Sequence, residues 1–199
     1  MKTLLIGASG TIGQAVLNNL AERHDVIAAS RSHERYRVDL SDHTSILQLL
    51  EQVGKVDAIV CTAGNLHFGP LESMTPAQFN LGLQDKLLGQ VQLVLAGQHY
   101  LNDGGSITLT SGILGIEPIR FGANATAVNA ALEGFVAAAA IELPRSLRIN
   151  VVSPTLLTES LPVYGPYFAG FETVSAARVA LAYQRSVEGA QSGRVYRVK

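Results

Sequence analysis

Short apolar runs alternate along this chain with longer stretches whose apolar residues recur every three or four positions. The runs Thr3–Ile6, Val26–Ala29, Ala58–Cys61, Ser106–Thr110 and Ile149–Val152 are rich in β-branched residues, and four of the five lead directly into Gly or Ser. Both of their faces are apolar, the pattern of parallel strands covered on two sides. Between them, Thr11–Glu22, Thr44–Val53, Pro76–Tyr100, Ala123–Leu143 and Val174–Val187 have amphipathic helical spacing. Ser41 or Asp42 is placed to cap the second helix, and Thr75-Pro76 opens the third with a capping residue followed by proline. Arg194–Val198 alternates as a last strand.

This alternation predicts an α/β fold: one doubly wound parallel sheet with right-handed crossovers and helices on both faces. One connection breaks the rhythm. Only about six residues separate Val26–Ala29 from a short strand predicted at Tyr36–Val38, too few for a helical crossover, so a loop is expected there. The 199 residues suit a single domain. With 16% charged residues and 47% hydrophobic ones, the chain is neither disordered nor a coiled coil. Fifteen basic and sixteen acidic side chains leave a formal charge of −1, which argues against nucleic-acid and anionic-membrane partners. Cys61 is the single cysteine, so neither a disulfide scaffold nor a thiolate-rich metal site is available, and the histidines lack metal-ligand spacing. No stretch reaches the ~18 uninterrupted apolar residues of a membrane span, and the N-terminal apolar run is too short for a signal peptide; a cytoplasmic location is expected.

Chemistry enters at Gly7-Ala8-Ser9-Gly10-Thr11-Ile12-Gly13, directly after the first strand and running into a helix. Glycines let a backbone turn sharply and approach a diphosphate, whose charge rests on free amides and the positive helix end. Such a string is a weak signal alone and a stronger one at this place in an alternating chain. After the second strand, Ser30-Arg31-Ser32 offers a guanidinium and hydroxyls to a 2′-phosphate, where an NAD site usually has an acid. NADP is therefore the expected cofactor, with Glu34 keeping NAD as the alternative.

Several motifs together resemble the short-chain dehydrogenase/reductase family over essentially the whole chain. They are the glycine loop, Asp39-Leu40, Thr62-Ala63-Gly64, Gly105-Ser106-Ile107-Thr108-Leu109-Thr110-Ser111 and Ile149-Asn150-Val151-Val152-Ser153-Pro154. The resemblance implies a Rossmann-type sheet of order 3-2-1-4-5-6-7 and a short substrate lid over residues 160–173. It also implies that Asp39 meets the adenine, that Ala63 and Gly64, with Asn65 following, let the cofactor lie flat, and that Pro154 leads to the nicotinamide. Thr155 stands where many relatives have Gly. Thr158 lies one residue short of the family's nicotinamide-contacting Thr, and the glycine spacing departs from the family's commonest form.

The family's proton-transfer pair, a Tyr with a Lys four residues later, is missing: none of the six tyrosines has a lysine at that spacing. Counting from Gly105 puts Ala125 at the Tyr position, Asn129 at the Lys position and Gly112 at the Ser position, with Ser111 one residue earlier. Lys86 falls where relatives carry a relay asparagine. Among four lysines, Lys86 alone is placed to enter the site, which suggests that Lys and Asn have exchanged places. A surface lysine beside Asp85 is the equally weighted alternative. His67, in the loop after the fourth predicted strand, is a candidate proton donor; Ser111 is the candidate hydrogen-bond partner of a substrate oxygen. Tyr164 and Tyr167 fall in the lid. Two functions follow: an NADP(H)-dependent oxidoreductase of a carbonyl or alcohol with an altered proton relay, or a catalytically silent NADP(H) sensor or partner module. The long helices Pro76–Tyr100 and Ala123–Leu143, the second rich in alanine, are expected to pair across a twofold axis in a homodimer or homotetramer.

Overall fold

The structure is a computed structural model describing residues 1–199. Strands β1 (Lys2–Ile6), β2 (Asp25–Ala29), β3 (Val56–Cys61), β4 (Leu101–Thr110), β5 (Arg148–Pro154) and β6 (Val195–Val198) form one parallel sheet in the order β2-β1-β3-β4-β5-β6. This is the expected order without its outermost member. The strand predicted at Tyr36–Val38 contracts to a single bridge between Ser30 and Arg37. The cause is local: the amides of Arg35 and Tyr36 donate to His33 Nδ1, at 3.3 and 3.0 Å, and curl the chain before a ladder can extend.

Side chains alternate across the sheet as the pleat requires. Leu4 and Ile6 of β1 join the larger core with Ile59 of β3, while Leu5 and Val60 join the smaller one. Helices α2 (His43–Val53), α4 (Gly89–Gly97) and α5 (Ala123–Glu142) cover the first face through residues such as Ile46, Leu93 and Val128; α1 (Thr11–Ala21) and α7 (Ala176–Glu188) cover the second through Val16, Leu20, Val179 and Tyr183. By length and composition α5 matches a membrane span, but its Ala125, Val128, Leu132 and Val136 row is buried in this domain. Asp42 caps α2 by accepting from the Thr44 amide at 2.9 Å. Thr75 and Gln78 form a reciprocal capping box at the start of α3 (Pro76–Gly82).

The segment expected to be one helix over Pro76–Tyr100 is a rod of unequal parts: α3, a π-helical turn over Leu83–Leu88, α4, and a final 3₁₀ turn over Gln98–Tyr100. π turns widen a helix locally and are frequent at functional sites. Here the widened turn carries Lys86. Within the segment expected to be a lid, two 3₁₀ turns flank the one-turn α6 (Leu161–Tyr164).

Candidate active site

Beyond β1 the chain bends at Gly7, whose φ of +87° belongs to the region glycine favours. Gly13 packs beneath that bend, so close that a Cβ there would stand 2.0 Å from the Gly7 carbonyl oxygen. The α1 N-cap is Gly10, which has no side chain to offer, and the first-turn amides of Thr11, Ile12 and Gly13 lack helical acceptors. A cleft of about 170 Å³ opens beside this turn, bordered by Gly7, Ser9, Gly10, Ser30, Arg31, Asp39, Leu40, Thr62, Ala63 and Gly64. Thr62 fastens β3 to the loop by donating to the carbonyls of Ile6 and Gly7, each at 3.1 Å. The Asp39 carboxylate accepts from the Ser41 hydroxyl and amide at 2.7 and 3.0 Å. Those bonds hold its carboxyl below the usual range, and the nearby Arg31 and Arg37 guanidiniums act in the same direction. Free amides at the helix start, a guanidinium at the second strand's end and a glycine-lined floor are what a dinucleotide phosphate requires.

A second cavity of about 260 Å³ adjoins the first, and Gly64 lines both. Leu66, Phe68, Ile113, Leu114, Leu156 and Phe168 give its wall an apolar part, alongside polar residues such as Asn65, Thr155 and Ser160. Tyr164 of α6 also lines it, with its ring 5.7 Å from that of Phe68, while Tyr167 packs on Phe68 and Phe121. Into this wall the π turn brings Lys86, only 7% exposed. Its ammonium donates to the Ser111 carbonyl at 2.9 Å. Burial pushes the Lys86 pKa down to about 8, partly opposed by the Cys61 thiol. Gln90, fully buried, secures the turn: its amide accepts from the Thr110 N–H at 2.9 Å and donates to the carbonyls of Thr110 and Lys86 at 3.0 and 3.2 Å. Asn129 is also buried against the cavity, and its Oδ1 has no hydrogen-bond partner. A Cβ on Gly112 would stand 3.1 Å from Asn129 Nδ2, so the bare backbone at 112 makes room for the amide at 129.

Of the residues put forward for chemistry, Lys86, Ser111 and Asn129 thus share one cavity. The surface-lysine alternative for Lys86 is set aside by its burial. His67 does not line this cavity: its backbone N–H donates to Asn124 Oδ1 at 2.9 Å and its ring lies against Gly69. The Ser111 hydroxyl donates to Glu133 Oε1 at 3.1 Å, and Glu133 in turn pairs with Arg197 at 2.7 Å. Ser111 therefore meets Lys86 through its carbonyl rather than its hydroxyl. Asn65, Pro154 and Thr155 border the second cavity. Ser32 lies 3.5 Å from Ser30 through their hydroxyls, and Ile12 packs against the smaller core. Thr158 borders neither cavity; it is exposed and donates to the Thr173 hydroxyl at 3.1 Å. Sequence reasoning missed Gln90 and Glu133; an amide within the largely apolar stretch Gly89–Gly97, which also holds Gln92, was the available signal for the first.

The family profile described as Enoyl-(Acyl carrier protein) reductase matches residues 11–192. Retinol dehydrogenase 8 of Homo sapiens is 30% identical over 151 residues, covering 73% of this chain and 45% of that protein. The 3-ketodihydrosphingosine reductase of Bacteroides thetaiotaomicron is 27% identical over 166 residues, covering 76% and 62%. The chain spans about half the length of the first curated relatives it matches. Among solved structures, the protein lin1944 from Listeria innocua is 49% identical over the whole of both chains, with a TM-score of 0.98. A small-chain dehydrogenase in complex with NADPH is 27% identical, covers 100% of this chain and 96% of that one, and has a TM-score of 0.89. The profile match across nearly the full length, carried on the strand order and glycine-lined cleft described above, makes this chain a member of the short-chain dehydrogenase/reductase family.

Proposed function

We propose that the protein is an NADP(H)-dependent oxidoreductase that interconverts a small carbonyl compound and its alcohol, with Lys86 and Asn129 as the polar groups at the reacting centre. The observation that carries this reading is the junction at Gly64, where a phosphate-suited cleft opens beside an apolar cavity holding a buried ammonium. The relative bound to NADPH supports the cofactor. In this reading the first-turn amides of α1 hold the pyrophosphate, and Arg31 with Ser30 and Ser32 holds the 2′-phosphate. Asp39 and Leu40 border the adenine, and Thr62 to Asn65 with Pro154 and Thr155 flank the nicotinamide half. When bound, the cofactor supplies or accepts hydride.

The chain itself handles the proton. Lys86 Nζ commits one N–H to the Ser111 carbonyl, leaving two for a substrate oxygen. Its lowered pKa brings proton release close to working pH, where general acid–base groups are most effective. Asn129 orients the same oxygen. A cofactor binder without turnover is the second reading, favoured by one observation: Glu133 engages the Ser111 hydroxyl. Following NADPH oxidation over a panel of carbonyl compounds tests the two. Turnover that falls at least 100-fold in Lys86→Met supports the first reading, and saturable NADPH binding with no turnover supports the second.

A further inference from the structure

Lys86 is a buried cation with no counter-charge. Its ammonium bonds only to a neutral carbonyl, and the nearby acids are committed elsewhere. Asp85 accepts from both the backbone and the side-chain amide of Asn65, and Glu133 accepts from Ser111 while pairing with Arg197. The buried Cys61 thiol is held protonated, its pKa pushed up to about 12 by desolvation. A buried charge is normally paired, so the position asks for an anion from outside the chain.

The cavity defines which anion. The Asn129 amide lines the same cavity, 2% exposed and with an unpartnered oxygen able to accept from a ligand hydroxyl. Leu66, Phe68, Leu156 and Phe168 line its apolar part, and no carboxylate lines the cavity to welcome a cationic ligand. Its volume of about 260 Å³ lies just below the usual range of ligand pockets and suits only a small ligand.

We infer that this cavity takes a small apolar 2-oxo acid, or the matching 2-hydroxy acid, with the carboxylate on the Lys86 ammonium and the Asn129 amide beside it. The inference rests on the oxidoreductase reading above and names its substrate class. A carbonyl adjacent to the carboxylate brings both oxygens within reach of the two free N–H groups of Lys86. Reduction breaks the C=O π bond, adding hydride from NADPH to C2 and a proton to its oxygen. That proton leaves Lys86 Nζ and is replaced from water.

The test is calorimetric and needs no turnover. Phenylpyruvate and its neutral counterpart phenylacetone are titrated into the full chain near pH 7, and NADPH is titrated separately. Phenylpyruvate binding at least tenfold tighter than phenylacetone, with the preference lost in Lys86→Met, is the expected result. Equal affinities, no binding of either compound, or a preference that survives in Lys86→Met would overturn the inference. Failure of NADPH alone to bind would instead remove the oxidoreductase reading, so the two failures are distinguishable.

Discussion

Lys86 lays its side chain across Gly64: a Cβ at position 64 would lie 2.6 Å from Lys86 Cγ and 2.8 Å from its Cβ. Gly64 also has a φ of +141°, a conformation L side chains rarely adopt. The glycine that borders both cavities is therefore also the one that admits the lysine. Gly64→Ala is expected to cost about 3 kcal/mol, from backbone strain and overpacking together, and to weaken ligand binding on both sides of the junction. Urea denaturation and NADPH titration of the variant check this; unchanged stability would show that Lys86 moves aside freely.

The buried ammonium gives the fold a pH signature. The unfolded chain holds this proton with an ordinary pKa of 10.5, the folded chain with one of about 8. Between those values the unfolded state binds more protons, so stability rises with pH; below about 8 the full penalty stands. The difference corresponds to about 3 kcal/mol. Lys86→Met, which keeps the apolar stem and removes the charge, is expected to be more stable than the natural chain at pH 7 by up to that amount. The gap should close as pH rises toward 10.5. Denaturant midpoints measured across that range check the sign; a less stable variant at pH 7 would contradict it.

Arg31 lies exposed at the cleft that Asp39 also borders. Charge-assisted hydrogen bonds are worth about 1.5–3 kcal/mol. Arg31→Ala is therefore expected to weaken NADPH by about tenfold to a hundredfold and to leave NADH nearly unchanged. Fluorescence titration with both nucleotides decides it; equal losses would assign Arg31 to a general electrostatic role.

Leu81, Leu88 and Leu95 recur at seven-residue intervals along the α3–α4 rod, and all three are exposed, as is Ile141 on α5. An apolar stripe of this kind suits a second copy of the chain, and a homodimer or homotetramer is proposed on that basis. Light scattering at micromolar concentration should report at least a dimer, and Leu88→Glu should shift it toward the monomer. A natural chain that runs as a monomer would contradict the assignment.

Much of the fold was legible because burial on both faces of a parallel sheet writes continuous apolar runs; five of the six observed strands contain such runs, and the sixth, β6, falls on the alternating segment Arg194–Val198. The outermost predicted strand shrank because the His33 ring, rather than a neighbouring strand, takes the amides of Arg35 and Tyr36. The π turn was hidden, since periodicity cannot register a local widening of six residues inside a longer helical pattern. Lys86, Ser111 and Asn129 were found by position, but the roles of Ser111 and His67 depend on where hydroxyl and ring point. Glu133 lies 22 residues from Ser111 in sequence, too distant for any spacing argument to connect.

Titration of the full chain with NADPH, followed by nucleotide fluorescence and calorimetry, bears most directly on the central claim. One molecule per chain should bind saturably, and Gly13→Val should abolish binding, because any side chain at 13 collides with the Gly7 carbonyl. No heat and no thermal shift with millimolar NADPH or NADH would contradict the account.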